Sequence, residues 1–302
     1  VFLRRLWPLL LVILLAGSWT LWSLLPHFQP NSLEAWVLDV GQGESVLVHE
    51  PSGKLLLFDG GPDDSVLSQL GAILPPWDDA IDLVILSHNH DDHIRGLLSV
   101  FQRYKVGGVW VSGATDTTAE YRLFTAEIAQ YHIPKRLTWF PPASCPPRAP
   151  CPPAIPFGQA QLQVYHPLRE MLGIDPTDQH DATVSVKVSW HSQSIFLTGD
   201  LNEDHETDML ASCQATCTLA STILQVPHHG SATGLLPAFL AAVHPLDAVI
   251  PVGLNNKYHH PRPETLAKLT AAHIPIYRTD LQGRIHIILS DHGPPIITAQ
   301  RA

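Results

Sequence analysis

The chain is short of charge, and shortest of positive charge: 18 Lys+Arg stand against 28 Asp+Glu over 302 residues, a formal net charge of −10. A broad basic surface that grips nucleic acid by neutralising phosphates is therefore excluded. Any anionic substrate must be held locally, by a metal or a few cations. Repeats at the periods of solenoids or propellers are also missing. Cysteine is scarce: Cys145 and Cys151 form a C-x5-C pair, Cys213 and Cys217 a C-x3-C pair. Neither spacing fits the C-x2-C hooks of a zinc knuckle. Two short-loop disulfides in an oxidising compartment, or four unpaired thiols, remain open. The chain starts at Val rather than Met, which reads as a fragment cut from a longer protein.

Charge is wholly absent from residues 6–25, "LWPLLLVILLAGSWTLWSLL". At 1.5 Å per residue such a run matches a hydrocarbon core of roughly 30 Å, so a transmembrane helix is expected within residues 1–26. Pro8 suits its first turn, and Trp19 and Trp22 suit its interfacial end. A cleaved signal peptide with Arg4 and Arg5 as its basic region is the rival, but the apolar stretch exceeds the usual length. If those arginines stay inside, the rest of the chain is extracytoplasmic, on the outer side of the inner (plasma) membrane. Residues 27–31 read as a linker and 32–302 as one domain, a length and 45% hydrophobic content sufficient for a large core.

Strand-like runs open that domain: "LEAWVLDV", "ESVLVHE", "KLLLFDG" and "IDLVILS", the first three close enough to pair as a meander. Between the third and fourth, "DSVLSQLGAIL" has helical spacing, and helices are expected again at "RGLLSVFQRY" and "TAEYRLFTAEIAQYH". "PPASCPPRAPCPPAIP" can be neither helix nor central strand and reads as an irregular loop. Strands return at "AQLQVYHP", "TVSVKVSWH", "SIFLTGD", "STILQVPHHGS", "DAVIPVG" and "IPIYRT", with helices at "GLLPAFLAAV" and "PRPETLAKLTAA". Two β-rich halves with helices between strands imply stacked sheets with helices outside.

"SHNHDDHIRGL" follows the buried-strand run "IDLVIL" and crowds His88, His90, Asp92 and His93 into six positions. One regular element cannot aim these together; a loop leaving a strand end, followed by a helix beginning near Ile94, can. Imidazole and carboxylate donors of this kind suit zinc or manganese. A solvated polar turn is the plainer alternative.

The arrangement resembles the His-x-His-x-Asp-His signature of the metallo-β-lactamase superfamily, which implies an αββα sandwich holding two divalent metal ions at its open edge. The order "VLDVGQGES", "SHNHDDHIRGL", "TGD", "VPHHGS", "NNKYHHP" resembles in particular the extracytoplasmic domain of ComEC-type channels, which bring DNA across the inner membrane of naturally transforming bacteria. By that resemblance His88 and His90 ligate a first metal, Asp92 and His93 a second, and Asp200 bridges them. His260 matches the last superfamily histidine. His180 either completes the first site or is a plain turn residue. Asp92, His228 and His229 are the expected catalytic groups, the doublet as general acid or further ligand, with no way to read which member faces inward. Asp39 and Asp59 are expected to support the ligands by hydrogen bonds from behind, and Lys257 to hold a neighbouring phosphate. Glu44 stands where the related motif often has Asp, and Arg95 replaces a usual Gly.

The resemblance implies a two-metal nuclease acting on the DNA strand that is not imported, with single-stranded DNA, the membrane and other uptake components as partners. Two further readings compete: a non-catalytic module binding DNA or a partner beside the channel, and a tethered hydrolase of small esters or lactams.

Overall fold

Successive side chains of a strand face opposite ways, and Ser32–Val37 is buried along its whole length, so it needs cover on both faces. Leu33, Ala35 and Val37 join one apolar cluster and Trp36 a second. The same division runs through Leu83–Ile85, where Leu83 and Ile85 enter the first cluster and Val84 the second. These observations come from a computed structural model that describes residues 11–12, 14–17, 28–29, 31–140, 152–213, 217–291 and 293–301.

Two sheets carry the architecture. The first has eight strands, in spatial order Ile296–Ala299, Ile285–Ser290, Ser32–Val37, Val46–His49, Leu55–Phe58, Leu83–Ile85, Val109–Val111 and Lys135–Leu137. The second has seven: Ile276–Arg278, Asp247–Ile250, Ile223–Gln225, Gln193–Leu197, Ser185–Trp190, Ala160–His166 and Ile155–Phe157. Leu33, Val48 and Phe58 of the first meet Val164, Val188 and Leu197 of the second in the central cluster. Helices Ser65–Gly71, Asp91–Arg103 and Ala119–Gln130 cover the outer face of the first sheet through Val66, Leu97 and Phe124. Helices Glu203–Ser212, Pro237–Val243 and Pro263–Ala271 cover the second through Met209, Phe239 and Leu269. The layers are thus helix, sheet, sheet, helix, as expected from sequence.

Each sheet changes character at one strand. Leu55–Phe58 pairs antiparallel with Val46–His49 and parallel with Leu83–Ile85. Gln193–Leu197 pairs antiparallel with Ser185–Trp190 and parallel with Ile223–Gln225. A crevice opens beyond the carboxyl ends of strands where connectivity switches. Asp59 follows the first of these strands directly and Asp200 follows the second by three residues.

The expected meander forms, with Trp36 opposite Leu47 and Leu47 opposite Leu57. The helix carrying the metal-loop residues begins at Asp91, earlier than the expected Ile94, because Asp91 and Asp92 in its first turn complement the positive helix end. The Pro-rich segment is described only from residue 152; Pro156 lies in the edge strand Ile155–Phe157, where a missing N–H is tolerated. Cys213 and Cys217 form a disulfide, whereas Cys145 and Cys151 lie outside the described residues. So does most of the expected membrane helix: residues 11–12 and 14–17 are helical, and among the described residues no helix is long and apolar enough to cross a membrane.

Candidate metal centre

The site is built from the strand ends upward. Asp59 leaves its strand with φ +59°, a left-handed conformation that Asp tolerates better than most residues. Fully buried, its carboxylate accepts from the Ser87 N–H at 2.7 Å and the Ser87 hydroxyl at 2.6 Å, and lies 2.7 Å from His93 Nδ1. The helix is pulled onto this turn: Gly60 N–H donates to the His93 carbonyl at 2.8 Å and Gly96 N–H to the Gly61 carbonyl at 3.0 Å. A Cβ at Gly96 would stand 1.9 Å from the Gly60 oxygen, so only glycine allows the approach.

Around the crevice the imidazoles repeat one arrangement. His88 Nδ1 lies 3.0 Å from the Ser87 hydroxyl, His93 Nδ1 on Asp59, His180 Nδ1 2.5 Å from Asp178, His228 Nδ1 3.2 Å from Asn202 Oδ1, and His229 Nδ1 donates to the Pro251 carbonyl at 2.8 Å. Each ring is anchored by Nδ1 and turns Nε2 inward, the usual way a protein fixes a metal-binding histidine. Nε2 of His88, His93, His180 and His229, and Oδ1 of Asp200, are buried with no hydrogen-bond partner.

Their spacing indicates what they fit. His93 Nε2 is 3.5 Å from Asp200 Oδ2, His229 Nε2 3.5 Å from Asp200 Oδ1 and 3.6 Å from Asp92 Oδ2, His228 Nε2 3.7 Å and His180 Nε2 3.8 Å from Asp200 Oδ2. These separations are long for hydrogen bonds, but ligands on one divalent ion with bonds of 2.0–2.1 Å stand roughly 3.3 Å apart. Donor atoms converge as His88, His90 and His180; as His88, His93 and Asp200; as Asp92, His93 and His229; and as His180, Asp200 and His228. Asp200 turns one oxygen toward His229 and the other toward His93, His180 and His228. The donor set, its anchoring and its orphaned inward atoms fit divalent metal ions.

Electrostatics follow from this crowding. Burial opposes charge on Asp200, yet His229 and His93 hold its pKa well below the usual carboxylate range. Asp92 is held low in the same way, against burial, by His229 and His93. Burial pulls His229 down, but Asp200 and Asp92 outweigh it and raise the ring to about 9. His88, dominated by burial and then by His93, is driven well below the ordinary histidine value.

Of the residues singled out from sequence, His88, His90, Asp92, His93, His180, Asp200, His228 and His229 converge here, with Asp59 behind His93. His260 does not join any of the donor groups; its ring lies 5.8 Å from that of His228, one ring further out. Asp39 turns away and pairs with Arg301 at 2.9 Å. Lys257 is exposed beside Tyr258, its Nζ 4.9 Å from that ring. Sequence reasoning passed over the anchoring roles of Asp178, Asn202 and Pro251, which no motif marks. It noted Glu44 only as a departure; the structure buries Glu44 completely, with neither oxygen hydrogen-bonded, in a group with Asp59 and His93. Burial, then Asp59, raises its pKa well above the ordinary value.

Comparison with known proteins agrees with this geometry. Residues 38–253 match the model of the metallo-beta-lactamase superfamily. The chain belongs to that superfamily. It is similar to Competence protein ComA of Neisseria gonorrhoeae, 28% identical over 295 residues, covering 96% of this chain and 36% of that protein. ComE operon protein 3 of Bacillus subtilis (strain 168) is 25% identical over 273 residues, covering 83% of this chain and 32% of the relative. The superfamily chain thus spans about a third of the length of these curated relatives. Among solved structures, Igni18, a metallo hydrolase from the hyperthermophilic archaeon Ignicoccus hospitalis, shares the fold with a TM-score of 0.51 at 12% identity, covering 88% of this chain and 98% of that one.

Proposed function

We propose that this domain is a two-metal phosphodiesterase that degrades single-stranded DNA as part of a DNA-uptake machine, tethered by a helix within residues 1–26 on the outer side of the inner membrane. The observation that carries the reading is the inward convergence of anchored imidazoles and carboxylates from both sheets, in a chain 96% of which is covered by its similarity to a protein named Competence protein ComA. His88, His90 and His180 would hold one ion, Asp92, His93 and His229 the other, and Asp200 both, with zinc or manganese suited to the donors.

When bound, the ions supply neutralisation of phosphate charge and a water of lowered pKa. The chain's own groups do the rest. Asp59 fixes the His93 ring, and Ser87, held by Asp59, fixes His88. Buried, doubly committed His229 serves as a ligand. His228, half-buried between His180 and His260, would serve as a general acid or as a further ligand beside His180 and Asp200. Lys257 lies on the same outer loop for a neighbouring phosphate.

The test is incubation with single-stranded DNA and Mn²⁺ or Zn²⁺ beside an Asp92→Ala, His93→Ala double variant, with metal analysis of both. Cleavage by the parent and not the variant, with about two metal equivalents per chain, is expected. Equal cleavage by both proteins removes the proposal, and a parent that holds no metal favours a binding module.

A further inference from the structure

In a chain of net charge −10, residues 248–263 contain no Asp or Glu but do contain Lys257, His259, His260 and Arg262. The part of this acid-free stretch between strand Asp247–Ile250 and helix Pro263–Ala271 forms a loop on one rim of the metal centre, and it is firmly held. Asn256 Nδ2 donates to the carbonyls of Gly253 at 2.9 Å and His260 at 2.7 Å, while its Oδ1 accepts from the His260 N–H at 3.0 Å. Gly253 N–H donates to Gln42 Oε1 at 3.2 Å, tying the loop to the neighbouring "VGQGE" turn.

On this rigid loop Tyr258 is left 47% exposed. The ring is not isolated. It stacks on His260 with centroids 5.7 Å apart and planes 25° from parallel; His260 meets His228 at 5.8 Å, and His228 meets His180 at 4.5 Å. A row of rings therefore runs from the metal ligands to the surface and ends in a flat aromatic face. Lys257 Nζ lies over the Tyr258 ring, 4.9 Å from its centroid, and Arg262 Nη1 donates to the Tyr258 carbonyl at 3.5 Å. A stacking face flanked by cations is how proteins hold unpaired nucleotides without reading sequence, because every base offers a π-face and every linkage a phosphate.

We infer that Tyr258, stacked on His260 and with the exposed Lys257 ammonium over its ring, is a platform for an unpaired base next to the reacting phosphate, and that it sets the preference for single-stranded nucleic acid. The inference rests on the phosphodiesterase reading of the neighbouring centre. A paired base cannot use the platform, since its faces are already covered in the duplex, so strand separation is selected by stacking and not by hydrogen-bond readout.

The experiment compares the full chain, loaded with Mn²⁺, on an oligothymidylate and on bis(p-nitrophenyl) phosphate, which carries the diester but no nucleobase to stack. Tyr258→Ala is expected to lower the ratio of kcat/KM on the oligonucleotide to that on the small diester by about tenfold to a hundredfold, and Tyr258→Trp to preserve it. Fluorescence anisotropy of labelled oligothymidylate with metal-free protein should show a matching loss of affinity in Tyr258→Ala alone. An unchanged ratio and an unchanged affinity in Tyr258→Ala overturn the platform. A parent protein that cleaves neither substrate overturns the phosphodiesterase reading, and the anisotropy arm then still reports on the platform by itself.

Discussion

Asp59 offers the sharpest perturbation of the centre, because it touches His93 from behind, on the side of the ring away from Asp92, His229 and Asp200. Asp59→Asn preserves size and tolerates the left-handed backbone at φ +59°. Its amide oxygen can still accept from the Ser87 N–H, but its NH₂ end must then face both the Ser87 hydroxyl and His93 Nδ1, 2.7 Å away, which now share one carboxylate oxygen. A charge-assisted hydrogen bond of about 1.5–3 kcal/mol is lost, and the ring is free to turn Nε2 out of line. At about 1.4 kcal/mol per decade, that corresponds to roughly a tenfold to hundredfold weaker hold on the ion at Asp92, His93 and His229, the range found when support behind a metal-binding histidine is removed. Calorimetric titration of the metal-free variant with Zn²⁺ or Mn²⁺ should show weakened binding, most at the group of Asp92, His93 and His229, with circular dichroism unchanged. Parent-like affinity in a folded variant would refute the argument that Asp59 works through His93.

Two further outcomes follow from positions away from the donors. Gly96→Ala forces a Cβ to within 1.9 Å of the Gly60 oxygen and 2.6 Å of the Asp63 oxygen; backbone cannot yield cheaply, so a loss of about 3 kcal/mol or more is expected, read as a Tm lower by roughly 6–12 °C in a domain of this size, and an unaltered Tm would contradict the packing described. Lys187, buried with its ammonium donating to the Thr218 carbonyl at 2.6 Å, is pushed down by burial to about 8. Between that value and the unfolded-state value of about 10.4 the unfolded chain keeps a proton that the folded chain has released, so stability rises with pH across the window. Lys187→Met should abolish that rise and gain about 1–3 kcal/mol at neutral pH; urea titrations at several pH values that show the same slope in both proteins would disprove it.

Much of this was legible in sequence where local chemistry decides. Buried strands announced themselves as apolar runs ending in Asp, and the dense His-x-His-x-Asp-His spacing points to a shared centre over a solvated polar turn. What escaped was set by contacts between distant segments. Strand Ile285–Ser290 pairs with Ser32–Val37, Ser290 opposite Ser32, a partnership that no local pattern encodes. Helix Glu203–Ser212, with Glu206 and Met209 as its buried residues, carries little apolar periodicity to mark it. The doublet His228-His229 could not be oriented because both residues adopt left-handed backbone, φ +52° and +53°, which non-glycine residues rarely do. His260 looked like a ligand from its place in the motif order, yet the loop closed by Asn256 sets its ring beyond His228.

The two aspartates, one issuing from each sheet, give an ion here a mechanical role besides a chemical one. An ion held by Asp200 on one side and by His93, backed by Asp59, on the other would act as a rivet through both layers, and the sheets could not slide or part while it stayed in place. Resistance to proteolysis and to heat should therefore rise with occupancy, and a batch stripped by a chelator would fail at the seam between the sheets, the first boundary to loosen when its fastener is withdrawn.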